Sequence, residues 1–432
     1  MAAEGPQASR GDISNLIDLR IVLLGNRDAW RSSAGNTILG REEFDPDVRT
    51  LQCVKRQGEV AGRQVTVVDT PGWKDYSECY YKDSPNLLKQ EIVLSVTLCP
   101  PGPHAFLLVI HENMTFTEAE RKATSNHLSL LGHGAWKHSL VLFIQETPAE
   151  EKAFEVKGKM LQQLVENCGK RYHVLNIKNR DKMQVTELLE KIDKMVATNS
   201  NSHYEMDRQR LEEVEEKRRK DKEKGTRTAI SNRLLTGTSS PLSELRVVLL
   251  GFKDAGKSSS GNTILGREEF QPGQRSAVCV KRQGDVAGRQ VTVVEAPGWW
   301  SHYSKEWSPE MTKRAIQLSP GLCGQGPHVF LLITRADILF TEAQRISARQ
   351  HLELLSERVW RYTILLFTHG DWLGDTPIEQ HIESEGDALK WLTEKCGNRY
   401  HVLNNHNSTD GRQATELLEK IEDMVVKYIS HL

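Results

Sequence analysis

The run Gly251-Phe252-Lys253-Asp254-Ala255-Gly256-Lys257-Ser258 satisfies G-x-x-x-x-G-K-[ST] at every defined position. The chemistry this pattern supports is phosphate binding. Glycine is needed where backbone N–H groups must approach phosphate oxygens without a Cβ in the way. Lys257 brings a point charge to the outer phosphates of a nucleotide, and the Ser258 hydroxyl is a ligand for Mg²⁺. Gly251, Asp254, Ala255, Gly256 and Ser259 complete the loop and open a helix whose N-terminus adds partial positive charge. The spacing recurs in altered form as Gly25-Asn26-Arg27-Asp28-Ala29-Trp30-Arg31-Ser32. Here Trp30 replaces the second glycine and Arg31 the lysine. The indole is expected to obstruct the phosphate's space, and a guanidinium is larger than an ammonium and reaches differently. This first loop is expected to bind nucleotide poorly or not at all. The opposing reading is that Trp30 turns outward and Arg31 still meets a phosphate.

Both loops need the same scaffold, and the chain repeats it. Leu19 to Trp73 aligns without a gap on Leu245 to Trp299, with 40 of 55 positions identical. Later patches agree too: Phe116-Thr117-Glu118-Ala119 with Phe340-Thr341-Glu342-Ala343, and Arg171 to Asn176 with Arg399 to Asn404. A period this long is a duplicated domain, since solenoids repeat every 20–50 residues. In the second copy Leu245–Leu250, Arg289–Val294, His328–Thr334, Tyr362–Thr368 and Tyr400–Leu403 read as strands, with Arg289–Val294 paired through the preceding Gly284–Gly288 turn region. Lys257–Leu265 reads as the helix after the phosphate loop. Strands alternating with helices imply an α/β fold with a mainly parallel sheet flanked by helices. Ligands of such sheets sit at the carboxyl ends of the strands. Between the copies, 16 of the 20 residues from Glu205 to Lys224 are charged, eight of each sign. Such a run suits a solvated spacer helix, and Gly225 to Ser243 reads as flexible linker. The expected boundaries are a tail at 1–18, a first domain at 19–198, a linker at 199–244 and a second domain at 245–432.

Composition narrows the class further. The 432 residues hold 57 Lys and Arg against 58 Asp and Glu, which removes the electrostatic case for nucleic acid. No apolar run approaches the ~20 residues of a membrane span. The first residues lack the apolar core of a secretory signal, and the last ones form no apolar anchor. Seven dispersed cysteines without a CxxC pair read as reduced thiols of a cytoplasmic protein. The HExxH, GxSxG and zinc-spaced Cys/His patterns were not found.

The run Leu245 to Gly266, LRVVLLGFKDAGKSSSGNTILG, together with Gly326-Pro327-His328 before a strand and Phe340-Thr341-Glu342, resembles the GTPases of immunity-associated proteins, the GIMAP family. The resemblance covers about residues 19–197 and 245–432. It implies two tandem P-loop GTPase domains, GTP or GDP with Mg²⁺ as ligands, slow hydrolysis, and self-association through the GTPase domains. Carried over by residue, the metal motif reads Asp69-Thr70-Pro71-Gly72 in the first copy and Glu295-Ala296-Pro297-Gly298 in the second. Metal ligands would then be Ser258, Ser276 and Glu295, with Glu295 one methylene longer than the usual Asp. The guanine-reading motif falls on Thr368-His369-Gly370-Asp371, with Asp371 accepting from the base. Asn404 lies on the base side, assisted by Asn405. The first copy has Gln145-Glu146-Thr147-Pro148 there, without an equivalent carboxylate. Trp299 occupies the place of a water-orienting Gln, and the nearby His302 is given no catalytic role. The resulting expectation is a slow GTPase switch or assembling scaffold, with nucleotide bound mainly by the second domain and a first domain that is a pseudo-GTPase. The rival readings are a hydrolase active in both copies and a structural tandem interaction module with little or no hydrolysis.

Overall fold

The computed structural model of the chain describes residues 16–27, 29–73, 84–146, 158–179, 181–200, 202–233, 242–273, 277–407 and 410–429. The elements of the first copy are β1 (Asp18–Gly25), α1 (Arg31–Leu39), β2 (Val54–Val60), β3 (Arg63–Asp69), α2 (Asn86–Leu94), β4 (Ala105–His111), α3 (Glu118–Ser129), β5 (Ser139–Gln145), α4 (Lys159–Asn167), β6 (Tyr172–Asn176) and α5 (Lys182–Thr198). Helix α6 (Arg208–Arg233) follows. The second copy has β7 (Glu244–Gly251), α7 (Lys257–Leu265), β8 (Val280–Val286), β9 (Arg289–Glu295), α8 (Glu310–Leu318), β10 (Val329–Arg335), α9 (Glu342–Leu352), β11 (Thr363–Thr368), α10 (Ile378–Glu385), α11 (Asp387–Lys395), β12 (Tyr400–Val402) and α12 (Gly411–Ile429). The chain divides into two compact units, residues 1–84 with 88–217 and residues 85–87 with 218–432.

Each unit carries a six-stranded sheet, ordered β2-β3-β1-β4-β5-β6 in the first and β8-β9-β7-β10-β11-β12 in the second. All pairings are parallel except β2 with β3 and β8 with β9. The central strands β1, β7 and β10 are buried almost from end to end. They are covered on both faces, so they appear in the sequence as unbroken apolar runs. Each fully buried Leu, Ile or Val contributes about 1.5–3 kcal/mol. The partner that β9 meets through the preceding turn is β8, with the sequence VKRQGDV; it runs on to Val286, so the turn is shorter than the expected Gly284–Gly288. It is an antiparallel edge strand with mostly accessible residues, so it needs no apolar run.

The linker departs from expectation at both ends. Helix α6 continues through Gly225 to Arg233, where the sequence suggested flexible chain. Asp221 and Gly225 are buried, and a Cβ on Gly225 would stand 2.7 Å from the backbone nitrogen of Gln380. This glycine serves close packing rather than flexibility. Upstream, Tyr204 is buried in the first unit. Its N–H donates to the Pro103 carbonyl at 2.7 Å, its hydroxyl donates to the Leu131 carbonyl, and its ring meets Phe106 edge-on at 5.1 Å. Among the described residues no helix is long and apolar enough to cross a membrane.

Candidate functional site

The second unit's phosphate loop leaves the carboxyl end of β7, which lies between β9 and β10. The register places Leu249 opposite Glu295, the last residue of β9. Helix α7 starts at Lys257 from a left-handed Gly256 at φ 91°. Thr368, the last residue of β11, braces the loop by donating its hydroxyl to the Ala255 carbonyl at 2.8 Å.

A cavity of about 270 Å³ opens at these strand ends. Lys253, Asp254, Gly256, Lys257, Ser258 and Ser259 form one wall. Glu295 to Gly298 form another, with Pro272, Gly273 and Val278 beside them, and Arg335 and His369 extend the lining. Lys257 is buried, and its ammonium donates to the Phe252 carbonyl at 2.7 Å. Burial lowers its pKa to about 8, against the opposing pull of Glu295 and Asp254. Ser258 donates its hydroxyl to Glu295 Oε1 at 2.9 Å. Burial raises the Glu295 pKa, while Lys257 and the Ser258 hydrogen bond pull it down. A buried ammonium beside a hydroxyl–carboxylate pair can hold a polyphosphate and an oxygen-liganded cation.

Of the expected residues, the cavity thus brings together Asp254, Gly256, Lys257, Ser258, Ser259 and Glu295. Gly251 and Ala255 do not line it and shape the loop from behind. Asp371 and Asn404 do not line it either. Asp371 lies in the short turn Gly370–Leu373, which the Gly370 N–H ties to the Leu403 carbonyl at 3.0 Å. Asn404 builds its own loop: its side-chain oxygen accepts from the His406 N–H at 3.0 Å, and its backbone bonds Gln413. Asn405 donates to the Thr263 hydroxyl at 3.3 Å. Ser276 lies outside the described residues. The charged and titratable lining residues that sequence reasoning missed are Lys253, Arg335 and His369. Lys253 and His369 fill unspecified positions of their motifs, and Arg335 ends an apolar strand. Arg335 is held by Asp337 through two hydrogen bonds of 2.8 and 2.6 Å, with His369 Nδ1 3.8 Å from the same carboxylate.

The first unit fills the equivalent place from within. Arg31 Nη1 donates to the Gly25 carbonyl at 3.2 Å and also to that of Asn26, the counterpart of Phe252. Its Nε reaches Asp69 Oδ1 at 3.2 Å and the Thr70 carbonyl at 3.1 Å. Ser32 and Thr50, the counterparts of Ser258 and Ser276, both donate to Asp69 Oδ2, at 2.8 and 2.7 Å. Asp69 is fully buried. The expectation that the Trp30 indole obstructs the phosphate is therefore corrected. Trp30, 39% exposed, stacks on His111 at 5.5 Å, and the buried Arg31 is the side chain that fills the loop. Trp30 keeps the left-handed backbone of the glycine it replaces, at φ 60°, a strained conformation for a bulky residue. A second correction concerns register. Phe106 pairs with Ser139 as Phe330 pairs with Thr363. The counterpart of Thr368 is therefore Ile144 rather than Gln145, and that of Asp371 is Thr147, outside the described residues.

Two motifs of the resemblance turn out to be structural. His328 accepts the Arg246 N–H at 3.0 Å, and Arg246 Nε donates to the Gly326 carbonyl at 2.6 Å, at the end of the sheet away from the cavity. Thr341 and Gln344 close a capping box on α9.

Two α/β units with parallel-sheet cores and a phosphate loop after the central strand define tandem P-loop GTPase-type domains. The AIG1 family pattern matches residues 19–224 and 245–430, and the chain belongs to this family, that of the GIMAP proteins. It is 29% identical over 431 residues to human GTPase IMAP family member 8, covering 94% of this chain and 62% of that protein. The mouse protein of the same name is 28% identical, covering 98% and 63%. The chain thus spans less than two thirds of these relatives' length. Immune-associated nucleotide-binding protein 9 of Arabidopsis thaliana is 28% identical over 43% of the chain and 57% of its own length. Among solved structures, Arabidopsis thaliana Toc33 in complex with GDP and Mg²⁺ is similar at 14% identity and TM-score 0.34, covering 43% of this chain and 86% of that one.

Proposed function

We propose that the second domain binds GTP or GDP with Mg²⁺ and that the first is a pseudo-GTPase whose site is closed by its own Arg31. One observation carries the reading: the second loop opens onto a cavity lined by Lys257, Ser258 and Glu295, whereas Arg31 is bonded to Asp69 in the first. Ser258 and Glu295 present hydroxyl and carboxylate oxygens 2.9 Å apart, a donor set that suits Mg²⁺. When bound, the ion would neutralise charge on the phosphates. Lys257 binds the outer phosphates, the loop's N–H groups orient them, and Asp371 selects guanine. With Trp299 where a water-orienting Gln would act, hydrolysis is slow. The protein then works as a nucleotide-dependent switch or assembling scaffold that associates through its GTPase domains.

The test is the nucleotide content of the purified full chain. One guanine nucleotide per polypeptide is expected, and none in Lys257→Ala. Asp371→Ala should weaken GTP by at least about tenfold, the loss of one charged hydrogen-bond acceptor. Two nucleotides per chain, or equal competition by ATP, would overturn the reading.

A further inference from the structure

The phosphate loop carries a second lysine that its motif does not require. Lys253 lines the cavity, and its ammonium lies 4.1 Å from the centre of the Trp300 ring. The backbone fixes this arrangement from both sides. The Lys253 N–H donates to the Trp299 carbonyl at 2.8 Å, and Phe252 bridges to Trp299 as an isolated strand pair. A Cβ on Gly298 would stand 2.5 Å from the Lys257 ammonium, 2.9 Å from Lys253 N and 3.1 Å from Lys253 Cα. The two lysines therefore share one glycine.

That shared glycine orients the cavity. Lys257 serves the outer phosphates, and Ser258 with Glu295 serves the cation beside them. The motif that reads the base lies at the His369 side. Lys253 packs against Gly298, the glycine that the Lys257 ammonium also approaches, and its own ammonium lies over Trp300 of the same segment, so outer phosphates held by Lys257 would lie next to it. In sequence, the first domain has Arg27 at the position of Lys253 and Lys74 in place of Trp300.

We propose that Lys253 is the residue by which the second domain distinguishes a nucleoside triphosphate from a diphosphate. With a diphosphate its ammonium stays on the Trp300 face. With a triphosphate it moves to the terminal phosphate. An ammonium bonded to a phosphate oxygen is held more strongly than one over an indole, and the indole's hold is weak enough to be exchanged. Trp300 is thereby uncovered only in the triphosphate state. Its carbonyl, like that of Tyr303, accepts from Ser347 of α9, so the indole changes partner on a tethered backbone. The proposal rests on the reading of this cavity as the nucleotide site.

The experiment compares GDP with the imido analogue of GTP, each with Mg²⁺, on the full chain by calorimetry. Lys253→Met should weaken the analogue by at least about tenfold, as expected for one charged hydrogen bond, and leave GDP within about twofold. Lys253→Arg should restore most of the difference. Trp300→Leu removes the competing site and should tighten the analogue by a few fold, about the strength of an exposed cation–π contact, with GDP unchanged. Equal losses of both ligands in Lys253→Met, or no loss of either, would overturn the proposal while leaving the nucleotide site in place. If the unmutated chain binds neither ligand, the reading of the cavity falls and the proposal with it.

Discussion

Arg31 and Asp69 form a buried ion pair at 3.2 Å in the first domain, with side chains 5% and 0% exposed. At the same two places in the second domain, Lys257 bonds the Phe252 carbonyl and Glu295 accepts from Ser258. The two arrangements share a scaffold and differ in what fills it. Lys257 leaves room beside a hydroxyl–carboxylate pair. The longer, forked Arg31 spans from the Asn26 carbonyl to Asp69 and takes the position a cation would need. Ser32 and Thr50 then complete the Asp69 carboxylate, so the first domain satisfies its own charges.

Removing Arg31 should therefore destabilise the first domain. Arg31→Ala leaves the Asp69 carboxylate buried without its cation, a change that typically costs about 3–5 kcal/mol. The expected outcome is a lower unfolding midpoint for that domain and faster hydrogen exchange in α1 and in the loop from Asp45 to Cys53. Guanine nucleotide content of the chain should not change. Unaltered exchange in both segments would show that the pair does not hold the site closed.

The double variant Trp30→Gly with Arg31→Lys should open a second phosphate site. It restores G-x-x-x-x-G-K-S beside Asp69, Ser32 and Thr50. It also relieves the strained left-handed Trp30 at φ 60°. Nucleotide content is expected to rise from one to two per chain. The new site should show little preference for guanine, because the first domain's sequence has Thr147, not a carboxylate, at the position corresponding to Asp371. Content remaining at one would mean that the closure extends beyond these two residues.

Much of this was legible in the sequence because it rests on local rules. Strands β7 and β10 are buried on both faces and show as apolar runs, and α7 begins at the lysine its motif marks. The extent of strand β8 was hidden because an edge strand keeps polar residues. Gly225 suggested flexibility because a glycine's packing partner, here Gln380, is distant in sequence. The fate of Arg31 depends on Asp69, 38 residues further on, and no spacing rule predicts where a guanidinium finds its carboxylate. Lys253 and His369 were passed over because a motif's unspecified positions carry no chemical requirement, although the fold makes both of them wall.

Nucleotide affinity should fall above about pH 8. Burial lowers the Lys257 pKa to about 8 in the free protein, and bound phosphate favours the charged ammonium. Below that pH the lysine is already protonated, so binding takes up no proton there. Above it each binding event must take one up, and affinity falls by up to about tenfold per pH unit. Stability of the free domain moves the other way. The unfolded lysine keeps its proton to its ordinary higher pKa, so the domain gains stability as pH rises from about 8 towards that value. Calorimetric titrations from pH 7 to 10 in buffers of different ionisation enthalpy check the proton uptake. A flat affinity across that range would show that Lys257 is not the phosphate-binding cation.

The last prediction concerns Glu295. Its carboxylate accepts from Ser258 at 2.9 Å, so both metal-site oxygens are already in contact across a side chain one methylene longer than aspartate. Mg²⁺ demands near-octahedral geometry at about 2.0–2.1 Å and tolerates little displacement. A longer arm on the same β9 backbone carries the carboxylate further into the space the cation would use. Charge neutralisation at the phosphates is a large part of phosphoryl-transfer catalysis. Glu295→Asp should therefore lower the Mg²⁺ concentration needed for tight GTP binding and raise single-turnover hydrolysis by about tenfold, or 1.4 kcal/mol of barrier. The unmutated chain should turn over far more slowly than about 1 s⁻¹, the low end of ordinary enzymes. A rate of that order without mutation would instead make Glu295 a fully effective metal ligand, and the aspartate variant would then be expected to slow the reaction.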